Sequence, residues 1–137
     1  MKTEPAPDVA KRIKEIVAKL SMEHVDSSRL VCMRSRGSSS RAIARIWSLP
    51  KIWQKALSVE AHYIIEVVSE RFDKLSLADQ DRTLIHELLH IPKTFSGAVL
   101  SHKTVHFDGC GGFVKKCIDG RAVEKLFNEL SERESSY

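Results

Sequence analysis

The segment Leu84-Ile85-His86-Glu87-Leu88-Leu89-His90-Ile91-Pro92 sets two imidazoles four residues apart, with a carboxylate directly after the first. Projected at about 100° per residue, Leu84, Ile85, Leu88, Leu89 and Ile91 fall in one arc, and His86, Glu87 and His90 fall opposite. This periodicity predicts a helix that packs its leucine arc and turns the polar trio away from the core. Upstream, Ser76-Leu77-Ala78-Asp79 supplies a hydroxyl cap with an acid three residues on, which suits the positive end of a helix. Downstream, Pro92 stops the helix near Ile91, because proline disfavours helical geometry in the residue before it.

Residues four apart on a helix have Cβ atoms about 5–6 Å apart, so His86 and His90 can reach one ion at about 2.0–2.1 Å. Glu87 then sits where it can take a proton from water carried by that ion. Zinc lowers the pKa of such a water toward about 7 and polarises a carbonyl as a Lewis acid, which together answer the needs of amide hydrolysis. The motif therefore predicts one Zn2+ per chain, with His86 and His90 as ligands, Glu87 as general base, and a peptide or protein as substrate.

The third ligand is less well determined. The metzincin pattern requires Gly and His where this chain has Lys93 and Ser96, so that class is excluded. A loop the length of 93–101 can turn back over the helix, which makes His102 the first choice and His106 the second, with Glu124 on the final helix as a third candidate. His102, His106, Cys110 and Cys117 also form an H-x3-H-x3-C-x6-C run that could hold a separate structural zinc. It lacks a tight Cys-x2-Cys knuckle, so free thiols or core packing are the simpler expectation.

Working outward, Asp8 is placed to cap a first helix whose apolar positions are Val9, Ile13, Ile16, Val17 and Leu20. Residues 29–36 and 42–49 read as strands, and the Gly37-Ser38-Ser39-Ser40 turn between them suggests a hairpin. Residues 51–57 form a short helical turn, and 62–68 is the most apolar β-like run. Residues 93–112 read as irregular, and a last helix spans about Asp119 to Glu132. The fold class expected is α+β, with a small three- to four-stranded sheet packed on the His-Glu helix between N- and C-terminal helices, as a single domain over 1–137.

With 42% hydrophobic and 29% charged residues, the composition is that of an ordinary globular protein and not of a disordered or fibrous one. No apolar run approaches the roughly 20 residues of a membrane span, and the N-terminus alternates charges where a secretory signal would be apolar. Cys32, Cys110 and Cys117 do not form a disulfide framework. A cytoplasmic location without membrane contact follows as the expectation.

Residues 27–59 hold seven Lys or Arg and no Asp or Glu. That segment is the basis of an alternative reading, a nucleic-acid-binding module in which zinc is a structural clamp. Trp47 and Trp53 could stack on bases beside Arg45 and Lys51, although packed aromatics are commoner. His24 and His62 read as structural, and Glu66 as the partner of a nearby arginine.

At LIHELLHIPKTFSGAVLSHK the chain resembles a family of small archaeal proteins described as metallopeptidases, and more remotely phage metallopeptidases and SprT-like minimal zincins. Similar stretches, VCMRSRGSSSRAIARIW, LPKIWQKAL and HYIIEVVSERFDKLS, lie upstream in the expected order. The resemblance implies a zincin-like unit in which a histidine after the Ser-Gly loop completes the metal site, and the matching position is His102. Related sequences often read Pro-His where this chain has Ser101-His102. Proteases that act on DNA-bound proteins among the SprT-like relatives show by analogy how hydrolysis and nucleic-acid binding can coexist.

Overall fold

The computed structural model describes residues 1–100 and 120–135, together with the backbone of 104–107 and 113–116. In chain order the elements are β1 (Lys2–Pro5), α1 (Pro7–Lys19), a 3-10 turn (Ser27–Arg29), β2 (Leu30–Arg36), β3 (Ala44–Ser48) and α2 (Lys51–Leu57). There follow β4 (Tyr63–Val68), α3 (Ser69–Phe72), α4 (Leu77–Leu89), β5 (Thr104–Phe107), β6 (Phe113–Lys116) and α5 (Gly120–Ser135). The architecture is α+β, with a four-stranded mixed sheet of order β1-β2-β4-β3 and a separate β5-β6 pair. It is compatible with a small zincin-like domain. Among the described residues no helix is long and apolar enough to cross a membrane.

The sheet order overturns the expected hairpin. β4 lies between β2, to which it is parallel, and β3, to which it is antiparallel, so β2 and β3 never pair. The physical reason lies in β4 itself: Tyr63, Ile65 and Val67 are fully buried, and the strand with the greatest apolar burial takes the centre, where both of its edges are paired. The Gly37–Ser40 turn instead directs the chain across the sheet to the far side of β4's eventual position. β1, which pairs antiparallel with β2, was not anticipated. Its four residues, Lys-Thr-Glu-Pro, are mostly exposed and present an edge strand's polar composition.

Two further expectations need correction. Asp8 does not cap α1; Ala6 occupies that position, Pro7 opens the helix, and the Asp8 carboxylate is bound by Arg34 at 2.9 and 3.0 Å. Residues 93–112 are not uniformly irregular, because they include β5. By contrast, the Ser76 hydroxyl does accept from the Asp79 N–H at 3.2 Å, and α4 ends at Leu89 with His90 as its C-cap.

The core forms where α1 and α4 cover one face of the sheet. Ile13 and Ile16 of α1, Ile65 and Val67 of β4, and Leu84, Ile85 and Leu88 of α4 are almost wholly buried. α5 closes the far side of α4 through Val123 and Leu130. Arg12 fastens the three helices: its guanidinium binds Asp81 of α4 at 2.8 Å and Glu134 of α5 at 2.7 Å.

Candidate metal centre

Since the leucine arc of α4 is buried in the core, the opposite side of the helix is fixed in direction. It opens on a cleft of about 810 Å³ bounded by α4, β3 and the start of α5, and His86, Glu87 and His90 all line it. The three side chains predicted from the motif are therefore brought to one place. They are less solvated than the helical projection implied: Glu87 is 6% and His90 5% exposed, with His86 half-buried. The difference arises because β3 and α5 wall the polar side of the helix, which a projection of one helix cannot register.

The His86 and His90 rings stand 5.1 Å apart between centroids and nearly perpendicular, at 77°. His90 Nδ1 meets the backbone carbonyl of Leu100, and the Leu100 N–H returns a bond to the His90 carbonyl at 2.8 Å. A carbonyl can only accept, so Nδ1 carries a proton, and in the neutral ring Nε2 then keeps its lone pair. This is the tautomer required of a histidine that binds metal through Nε2, with a carbonyl fixing the ring from behind.

Burial pushes the Glu87 carboxyl up to about 7. A carboxyl that titrates near neutrality can both take and return a proton, as general acid–base work requires.

Of the third-ligand candidates, His102 lies outside the described residues, as do Cys110 and Cys117, and only the backbone of His106 is described, in β5. Glu124 is exposed on α5 and bound by Arg82 at 3.0 Å; Arg82 also holds Asp79 and covers the Phe127 ring at 4.0 Å. Among the described residues no group of three His, Cys, Asp or Glu side chains is arranged to hold a metal ion.

The cleft wall opposite α4 is lined by Arg41 to Trp47 without a gap. Side chains of both parities alternate across a sheet, so an unbroken lining means that β3 presents its edge, and β3 is the last strand of the sheet. Sequence reasoning missed this edge because it placed β3 in a hairpin. It also missed Leu100, whose contribution is a backbone carbonyl and leaves no trace in residue type.

The basic segment 27–59 is largely answered by acids from elsewhere. Arg29 pairs with Asp26 and Glu60, Arg34 with Asp8 and Asp73, Arg36 with Glu4, and Arg45 with Glu66. Among the described residues, Arg41, Lys51 and Lys55 have no carboxylate partner. Glu66 accepts from Arg45 at 2.7 Å and from Trp47 Nε1 at 2.8 Å, as its position in an apolar strand suggested. His62 Nδ1 binds the Glu60 carbonyl, and Cys32 is a buried free thiol.

No curated protein and no solved structure matches the chain. A family model described as "Putative phage metallopeptidase" matches residues 1–129, and with that match spanning nearly the whole sequence, the chain that folds around His86, Glu87 and His90 belongs to this metallopeptidase family.

Proposed function

We propose that the protein is a zinc-dependent peptidase in which His86, His90 and His102 hold the ion and Glu87 moves the proton. His106 and Glu124 are the alternatives for the third position, and Glu124 would first have to leave Arg82. The observation that carries the reading is the convergence of His86, Glu87 and His90 on one cleft whose far wall is the last strand of the sheet. The donors present suit zinc: two imidazoles, one of them with its Nδ1 engaged by a carbonyl.

When bound, the ion supplies a water of lowered pKa and a Lewis acid for the scissile carbonyl. The chain's own residues do the rest. Among the described residues no strand pairs with the outer edge of β3, and that edge offers backbone groups to an extended peptide, which would join the sheet as a further strand and lie across the cleft. Glu87 accepts the proton of the attacking water at its carboxylate and passes it to the nitrogen of the departing amine. Nucleic-acid binding through 27–59 is the weaker reading, since four of its seven cations are engaged by carboxylates.

Hydrolysis of an unstructured protein such as casein by the zinc-loaded chain, followed by mass spectrometry of the products, tests the proposal. New peptide termini are expected with the wild type and none with Glu87→Gln. Equal cleavage by both would remove Glu87 from the reaction.

A further inference from the structure

The His90 ring is held at the end of a chain of contacts that begins in the hydrophobic core. Tyr63 lies at the start of the central strand β4 with none of its surface exposed. Its hydroxyl accepts from the Gly97 N–H at 2.8 Å and donates to the Ala98 carbonyl at 2.7 Å, so both hydrogen-bonding capacities are spent on one loop. The Tyr63 ring meets Phe95 edge-on at 4.9 Å, and the Arg29 guanidinium covers Phe95 at 4.7 Å. Phe95 has φ of +48°, a left-handed conformation that a bulky residue rarely adopts, and its burial against Tyr63 offsets that cost.

A second anchor comes from α2. Gln54 Nε2 donates to the Leu49 carbonyl at 2.8 Å and lies 3.5 Å from that of Ser96. Gly97, with φ of +96°, passes so close that a Cβ there would come within 2.4 Å of Gln54 Nε2 and 3.1 Å of the Leu49 carbonyl. The loop is thus fixed at Phe95, Ser96, Gly97 and Ala98. Two residues later, Leu100 makes the reciprocal contacts with the backbone and ring of His90.

We infer that Tyr63 and Gln54 are positioning residues for the metal centre: they brace the loop 95–100 so that the Leu100 carbonyl holds His90 in the Nδ1–H tautomer, with Nε2 directed to the ion. The inference rests on the proposed function for its purpose, but not for its geometry. The hydroxyl of Tyr63 is the decisive atom, since its ring alone would serve the core equally well.

Tyr63→Phe keeps the ring and removes both loop bonds, and Gln54→Ala removes the second anchor without touching the core. Long-range 1H–15N NMR of the metal-free protein reads the His90 tautomer, and chelator competition reads zinc affinity. The wild type should show His90 as Nδ1–H. Each variant, folded by circular dichroism, should show a tautomer mixture and zinc binding weakened about 10–100-fold, the range for removal of a partner that orients a ligand. Folded variants with wild-type tautomer and affinity would overturn the brace. Should Tyr63→Phe fail to fold, Gln54→Ala decides by the same two readouts. A wild type that binds no zinc would defeat the proposed function, while the tautomer measurement would still judge the brace.

Discussion

Glu66 on β4 and Glu87 on α4 are buried to the same degree, 7% and 6% exposed. Their chemistry is opposite. Burial raises Glu66, but the bonds from Arg45 and Trp47 outweigh it and hold the carboxyl below its usual range. Glu87 has only the burial, and is pushed up to about 7. The outer face of the sheet therefore contains a carboxylate paired within the fold, and the cleft contains one that no cation among the described residues pairs. The paired acid belongs to the structure of the sheet, and the one lining a cleft beside two imidazoles fits the proton-moving role proposed for Glu87.

Neutralising the two carboxyls should separate these roles. Glu87→Gln is expected to lower peptide hydrolysis by about 10²–10⁴-fold with zinc content retained, the usual span for loss of a general base. In the metal-free protein the same change should leave the urea midpoint equal or higher, because the amide has no charge to bury. Glu66→Gln should act in the other direction on stability, lowering it by about 1–3 kcal/mol in urea denaturation as charged hydrogen bonds to Arg45 and Trp47 weaken. If both variants shifted stability alike, the contrast between the two sites would fail.

A smaller effect is expected from a third, more accessible carboxylate. Arg12 and Lys19 hold Glu134 well below its ordinary value of 4.5, at about 2. A depressed folded pKa stabilises the protein above the unfolded value, so this contribution is complete above about pH 4.5 and is lost as pH falls through about 2. Acid titration followed by circular dichroism should show Glu134→Gln losing that component of the pH dependence. Solvent screening keeps the pair to about 1 kcal/mol or less.

The sequence was most legible where the signals are local. The Ser76 cap, the leucine arc and Pro92 each act within a turn or two of α4, and the helix lies where they place it, with its three polar side chains together. Sheet order is not local. Residues 29–36 and 42–49 carry the strand pattern and contain β2 and β3, yet the pairing of these strands depends on β4, which is later in the chain and takes an edge of each. The same limit hid the Leu100 carbonyl, which any residue could supply, and the burial of Glu87, which depends on α5 some thirty residues away. Gly97 did carry a signal, since Ser96-Gly97 marks a turn, but its contact with Gln54 depends on tertiary structure.

Metal content tests the central claim most directly. The purified chain, dialysed against trace zinc and analysed by inductively coupled plasma mass spectrometry, should hold close to one zinc per molecule, and the His86→Ala and His90→Ala variants should each hold almost none while remaining folded. Full zinc occupancy in both folded variants, or none in the wild type, would contradict it.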